Sequence, residues 1–358
     1  MTKLYCGVDF HKRTSTYCIK DKEGKTLEVS RVDSDRLIAA LETRKGLLIG
    51  VEASGGTNHL VELLKARGHE VKIINPTKFQ AIGLGGKKTD ERDAIALSEA
   101  LRLSFIPEVY HKNLCARQRK SLIVGREMYV RSRVNMMNHV RGTLREYGFP
   151  MAVGKEAFLS EVDAALMEFP EPKLAFLLTD LVKRVREFMD QEKVIEAILI
   201  DIAKEDPMMK LLQTAPGIGI MTAFTFAAVI DDHTRFKNGK VLASYLGLVP
   251  RENSSGDKRR MGSITRSGSE ILRRYFIHGA RATLMHAKKA KVPPKDRNKI
   301  WAMKLEAKVG MNKATVALAH RMCRIAFAIV RDGKPYNEKL KHPLLRSEQE
   351  NDSKKDVA

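Results

Sequence analysis

Hydrophobic and polar residues alternate from Leu4 to His11, again over Thr14–Lys20, and again over Thr26–Val32, with Asp21-Lys-Glu-Gly24 as a turn between the last two. Alternation with a period of two marks half-buried strands, so this stretch predicts a three-stranded meander. The period then lengthens. Ser34–Thr43 reads as a helix, Gly46-Leu-Leu-Ile-Gly-Val51 as a buried strand running into Glu52, and about Asn58–Arg67 as a second helix. Gly68 stops that helix and His69–Asn75 is the next strand. Pro76, Gly83 and Gly85-Gly86-Lys87-Lys88 then break the pattern before a helix over Asp90–Leu103. A meander followed by alternating helices and strands predicts an α/β domain with a mixed sheet.

Beyond it the period is helical throughout. Leu114–Tyr147 predicts a long Arg-rich helix interrupted only by Gly125 and Gly142, and Lys173–Ile202 a second one with apolar residues every three or four positions. The pair suits a helical, coiled-coil-like arm and equally an ordinary helical hairpin. Pro207 ends it, Leu211–Val330 reads as largely helical, and the tail from Ser347 is polar, a composition that predicts disorder. These breaks divide the chain into residues 1-110, whose element order is that of an RNase-H-like fold; a helical region 111-206; a mainly α domain 207-335; and a polar tail 336-358.

Composition narrows the function classes. Of 358 residues, 43% are hydrophobic and 30% charged, enough apolar material for packed cores. Lys and Arg number 64 against 43 Asp and Glu, a net charge of +21 that favours a polyanionic partner, because each phosphate neutralised releases condensed counterions. The excess is concentrated: Arg251–Arg324 holds 19 Lys and Arg against 5 Asp and Glu. The opening MTKLYCGVDFHK does not read as a signal peptide, since Asp9 breaks its short apolar run, and no stretch is apolar for long enough to cross a membrane. Cys6, Cys18, Cys115 and Cys323 give neither a zinc spacing nor a disulfide framework. A cytoplasmic, nucleoid-associated protein with no membrane partner is expected.

Carboxylates supply the candidate chemistry. Asp9 ends the first strand and Glu52 ends the buried one, positions where an unpaired charge costs several kcal/mol unless a cation or hydrogen bonds join it. Asp90 and Asp93 are spaced to share one face of the following helix. If the strands are neighbours and the helix caps them, four acids converge. Such a cluster suits two divalent ions, which in phosphodiester chemistry activate an attacking oxygen and stabilise a leaving one. Asp90 as a helix N-cap with Asp93 behind it explains the same residues structurally, and Asp9 also suits a strand-end turn.

In the C-terminal region, Pro216-Gly217-Ile218-Gly219 reads as a tight turn between helices, either a plain αα-turn or a helix-hairpin-helix contact that offers backbone N–H groups to phosphate. Ser254-Ser255-Gly256 lies in a basic loop with Arg251, Lys258, Arg259, Arg260 and Arg266. A serine beside glycine there is a helix cap or an uncrowded nucleophile whose phosphate charge the guanidinium groups neutralise. Arg273, Arg274 and Arg281 share one helix face, solvated or tracking phosphate. His278, His286 and His320 show no metal spacing, and Trp301 in a Lys-rich stretch suits packing or base stacking.

Three pieces together, Val8-Asp9-Phe-His-Lys12, Val51-Glu52-Ala-Ser-Gly55 and Lys88-Thr-Asp90-Glu-Arg-Asp93-Ala94, resemble the insertion-sequence transposases of the DEDD type, the bridge-RNA-guided DNA recombinases. The likeness extends through Gly247-Leu-Val-Pro250 and the serines after it. It implies an RNase-H-like domain whose tetrad Asp9, Glu52, Asp90 and Asp93 holds Mg2+, in two sites and with Mn2+ as a substitute. It also implies a second domain in which Ser255, with Ser254 as the fallback and Ser263 or Ser267 behind it, attacks DNA to form a phosphoserine. Implied partners are donor and target DNA, a structured noncoding guide (bridge) RNA, and further copies of the chain in a tetramer built as a dimer of dimers. Two rivals use the same residues differently: a metal-dependent nuclease or junction resolvase with water as nucleophile, and a non-catalytic architectural DNA-binding protein.

Overall fold

The alternating stretch at the start of the chain folds into three antiparallel strands, β1 (Tyr5–Phe10), β2 (Thr14–Lys20) and β3 (Thr26–Asp33). Helix α1 (Leu37–Glu42) leads to β4 (Leu48–Glu52), and α2 (Thr57–Ala66) leads to β5 (Glu70–Ile74). Short α3 (Pro76–Gln80), helix α4 (Asp90–Arg102) and a two-residue strand β6 (Glu108–Val109) follow. The sheet order is β3-β2-β1-β4-β5-β6, with β4 parallel to β1 and to β5, and β6 antiparallel at the edge. This computed structural model describes residues 3–80, 89–254, 260–292 and 294–337 and divides into two units, Met1–Lys112 and Asn113–Ala358. The Gly85–Lys88 run, Ser255, Lys258, Arg259 and the tail from residue 338 lie outside the described residues.

In the first unit the sheet is covered on both faces. Cys6, Val8, Ile49 and Val51 point into a core closed by Leu37 and Leu41 of α1 and Leu60, Val61 and Leu64 of α2. The opposite face carries α4, which packs on β1, β2 and β4. Helices on both faces explain why β4 reads as a continuous apolar run. This mixed α/β arrangement is compatible with an RNase-H-like domain.

The second unit is mostly helical. Helix α5 (Leu114–Glu146) and α7 (Pro172–Glu205) pack on each other, with α6 (Lys155–Met167) between them in sequence. At 1.5 Å per residue each of the two is about 50 Å long. They run antiparallel, as the cross-links Arg119–Asp206, Arg126–Glu196 and Arg133–Glu192 show. One end of the pair joins α6 around Met137, Leu144, Phe158 and Val182. The other end enters a larger core with α8 (Pro207–Leu212), α9 (Ile220–Ile230), α10 (Gly239–Tyr245), α11 (Glu270–Lys289), α12 (Arg297–Val309) and α13 (Met311–Asp332). Helix α9 is apolar all round and buried from Thr222 to Ile230, as a central core helix must be. A hairpin of β7 (Pro250–Glu252) and β8 (Met261–Ile264) interrupts the helices, where the periodicity predicts none. Among the described residues no helix is long and apolar enough to cross a membrane.

Candidate active site

Two glycines set the position of α4. A Cβ on Gly7 would stand 2.2 Å from the Ala94 carbonyl oxygen and 2.4 Å from Ser98 N, so only glycine admits the helix at this distance. One strand over, a Cβ on Gly50 would meet Leu101 Cδ1 at 2.6 Å. Side chains alternate along a strand, so the residues two further on, Asp9 and Glu52, belong to the same face as the glycines. They follow directly on the last pair of the parallel ladder, Val8↔Val51. The first turn of α4 therefore arrives beside the strand ends.

Its cap leaves the acids available. The N-cap is Thr89, whose Oγ1 accepts from Arg92 N at 3.3 Å. Asp90 and Asp93 thus lie inside the first turn and do not form the cap, which corrects the capping alternative read from the sequence. Three acids in that turn, Asp90, Glu91 and Asp93, also complement the positive end of the helix dipole.

The structure brings Asp9, His11 and Asp90 together. His11 Nε2 is 3.2 Å from Asp9 Oδ2 and 3.9 Å from Asp90 Oδ1. One ligand-type atom from each of the three falls within 4.8 Å of the others, two carboxylate oxygens that suit a divalent cation and an imidazole nitrogen hydrogen-bonded to one of them. Arg31 Nη2 stands 3.8 Å from Asp90 Oδ2. Asp9 is buried. Burial raises its pKa above the ordinary aspartate value, His11 draws it down, and the charges of Asp90 and Asp93 push it up again. A carboxylate so placed gains most from a bound cation. Glu52 is half-buried at the end of β4, where its carbonyl accepts from Thr57 Oγ1 at 2.9 Å. Neither Glu52 nor Asp93 belongs to the tight three-residue group, although Asp93 is near enough to act on Asp9.

The sequence pattern does not single out His11 or Arg31. His11 stands two residues beyond Asp9, just past the end of β1. Arg31 lies in register with Asp9 through Thr16, by the pairs Asp9↔Thr16 and Thr16↔Arg31. Only the meander's register, which the sequence does not print, reveals it.

In the second unit the expected basic residues divide by role. Ser254 is tied into the hairpin turn, its Oγ donating to Glu252 Oε1 at 2.8 Å and accepting from Arg260 N at 3.2 Å. Ser263 lies exposed in β8, and Ser267 Oγ donates to the Ser244 carbonyl at 3.2 Å. Arg251 is exposed and donates to the Thr265 carbonyl; Arg260 and Arg266 are exposed, the latter with a left-handed φ of 58°. Arg273, by contrast, is buried and donates to the Leu246 and Ser267 carbonyls at 3.1 and 2.7 Å, fixing the chain on either side of the hairpin. Arg274 pairs with buried Glu127 of α5, which also accepts from the Tyr275 hydroxyl at 2.6 Å. Arg281 donates to Asn312 Oδ1 at 2.7 Å.

The glycine turn is also partly a packing device. Gly217 has φ +81°, and a Cβ there would meet Thr283 Oγ1 at 2.4 Å and the Gly279 carbonyl oxygen at 2.7 Å. The turn thus sits backbone to backbone on α11. Gly219 caps α9, is exposed, and has nothing within 4 Å of its Cβ position.

Comparison with known proteins agrees with this layout. A transposase model of the DEDD, IS110 type matches residues 6–149, which include the acid cluster. A second, described as the transposase IS116/IS110/IS902 family, matches residues 209–293 with the glycine turn and the hairpin. The transposase for insertion sequence element IS1111A of Coxiella burnetii is 31% identical over 337 residues, covering 92% of this chain and 90% of that one. A probable family 20 transposase of Pseudomonas aeruginosa is 30% identical, over 79% of this chain and 83% of its own. The transposase for insertion sequence element IS1328 of Yersinia enterocolitica is 27% identical, over 93% and 98%. With likeness of this extent on both units, the chain belongs to the IS116/IS110/IS902 family of insertion-sequence transposases, enzymes that cleave and rejoin DNA strands.

Proposed function

We propose that this transposase cleaves and exchanges donor and target DNA strands through a phosphoserine on Ser255, with Mg2+ held by Asp9, Glu52, Asp90 and Asp93. The observation that carries the reading is the convergence of Asp9, His11 and Asp90 where β1 ends and α4 begins. When bound there, divalent ions neutralise a phosphate and polarise its oxygens. Asp9 and Asp90 would hold the cation, with Glu52 at the end of the neighbouring strand and Asp93 in the same first turn of α4 completing the tetrad. His11 fixes the Asp9 carboxylate by hydrogen bond, the usual duty of a residue behind a metal ligand.

The serine step balances as a transesterification. Ser255 Oγ forms a bond to phosphorus, the bond from phosphorus to one strand-end oxygen breaks, and the serine proton passes to that oxygen. In the exchange, the hydroxyl of another strand end attacks the same phosphorus and the serine regains its proton. Arg251, Lys258, Arg259, Arg260 and Arg266 neutralise charge building on the phosphate, while the Gly217–Gly219 turn contacts the backbone in helix-hairpin-helix fashion. Arg273 and Arg274 hold this region from beneath, through the Leu246 and Ser267 carbonyls and through Glu127.

In this reading residues 1–110 form an RNase-H-like domain, 111–206 a coiled-coil arm that joins protomers into a tetramer, and 207–335 the serine domain. A structured guide RNA selects the sites by base pairing, which leaves the protein to read backbone and shape. A net charge of +21 and an aromatic content of 6% suit a protein with that division of labour. The test is to purify the chain, sequence any RNA that accompanies it, and add Mg2+ with DNA carrying the element junction. Wild type should cleave only with its RNA, and Asp9→Asn and Asp93→Asn should not cleave. Cleavage by both variants at the wild-type rate would remove the tetrad from the mechanism; cleavage without RNA would remove the guide.

A further inference from the structure

The second unit holds a cleft of about 1690 Å3, lined by the β7–β8 hairpin, α11, α12, α13 and the chain around Tyr336. Small-molecule sites run to roughly 300–1,000 Å3, so this volume suits an extended ligand. Its lining has two chemistries. Ile264, Ile277, Val316, Ala317, Ala328 and Ile329 contribute apolar surface. Arg266, Arg297, Lys313 and Lys334 are exposed cations on the same cleft, against the acids Glu270 and Asp332. Asp332 already holds Arg331, at 2.6 Å. His320, also in the lining, is pushed down to about 4, first by burial and then by the charges of Arg324 and Lys240. Trp301 lies half-buried in the lining, with the Arg321 guanidinium 4.5 Å over its ring centroid.

A ligand that satisfies both halves must carry regular negative charge and flat apolar faces. Duplex nucleic acid offers the charge but keeps its base faces stacked inside, and an acidic peptide does not pair each charge with a flat ring. Unpaired nucleic acid offers both, and its bases stack on aromatic and guanidinium planes. We propose that this cleft binds a single-stranded stretch of nucleic acid, with phosphates on Arg266, Arg297, Lys313 and Lys334 and a base stacked against the Trp301–Arg321 pair. The inference rests on the transposase reading only for the presence of such strands, which strand exchange and an RNA with unpaired loops both provide.

Trp301 is the chain's single tryptophan, so its emission reports on this cleft. The full chain would be titrated with a deoxythymidine oligonucleotide, a uridine oligoribonucleotide and a duplex of equal length. Tryptophan emission reads the cleft, and anisotropy of end-labelled copies in parallel samples reads binding anywhere. Single strands should quench Trp301 with the midpoint seen by anisotropy, while the duplex binds without that quench; the DNA and RNA arms tell which strand the cleft prefers. Trp301→Leu should weaken single-strand binding about tenfold. The double variant Arg297→Gln, Lys313→Gln replaces exposed side chains only; it should weaken binding and lower the salt slope by about one to two. Single-strand binding with unchanged Trp301 emission would overturn the cleft and leave the transposase reading standing. So would a duplex quench equal to that of single strands, or a double variant that binds as tightly as wild type. Absence of binding to every nucleic acid would overturn both.

Discussion

Asp9 is buried beside Asp90 and Asp93, and this sets how the metal-free protein responds to pH. Its pKa is raised in the fold, burial being the largest cause. A carboxyl with a raised folded pKa contributes stability that is complete below the ordinary aspartate value and is lost as pH rises through the raised one. Asp9→Asn removes the charge, so at neutral pH the metal-free variant should melt at a higher temperature than wild type, with the gap closing in acid. Adding Mg2+ or Mn2+ should raise the melting temperature of wild type and leave Asp9→Asn unmoved. A variant that melts below wild type at neutral pH without metal would contradict this placement of Asp9. His11→Ala should weaken Mn2+ binding by about 10- to 100-fold in calorimetry, the usual effect of removing a partner behind a metal ligand. Unchanged affinity would leave His11 as a bystander. The acids were legible in the sequence because charge at the end of an apolar strand is conspicuous. Arg31 was not, because its relation to Asp9 depends on strand register, and His11, two residues beyond Asp9, carries no charge pattern that marks it.

At the scale of elements, the site exists because α4 lies against β1 with no side chain between them. Gly7→Ala places a methyl 2.2 Å from the Ala94 carbonyl oxygen, so the helix must move. Overpacking of this kind costs about 1–3 kcal/mol, and the displaced first turn should carry Asp90 away from Asp9. The variant should melt lower and bind Mn2+ more weakly; wild-type binding would show that the close approach is not what assembles the acids. In the second unit, α5, α7 and α11 meet through Glu127, Arg126, Glu196, Arg274 and Tyr275. Burial would raise the Glu127 pKa, and Tyr275, Arg274 and Arg126 outweigh it to hold the carboxyl below its ordinary value. A depressed folded pKa gives stability above the ordinary glutamate value that is lost as pH falls through the folded one. Glu127→Gln should therefore destabilise the protein at neutral pH by about 3–5 kcal/mol, the cost of breaking a buried pair. Denaturant unfolding should show the difference shrinking in acid; a constant difference would mean that charge is not its source. Periodicity revealed the long helices and the main strands. It missed the β7–β8 hairpin, whose residues are nearly all exposed and so carry no alternation, and β6, which is two residues long.

For the whole molecule, charge and motif order carried further than fold detail. The net charge of +21 favours a polyanion, and the likeness of the three acid motifs and the serine loop to the DEDD-type transposases implies the family. What composition could not separate was a cation that meets phosphate from one that braces the chain. Arg273 and Arg274 look alike beside Arg266 in the sequence, yet one is buried on two carbonyls, one pairs with Glu127, and Arg266 is exposed. The glycine turn shows the same ambiguity, with Gly217 filling a contact on α11 while Gly219 stays open. The most direct measurement takes the whole protein with its RNA, Mg2+ and DNA carrying the element junction, resolved on a denaturing gel beside Ser255→Ala and Asp9→Asn. Wild type should yield a protein–DNA adduct that both variants lack. Cleavage without an adduct, unchanged in Ser255→Ala, would contradict the serine mechanism and make water the nucleophile at the metal centre.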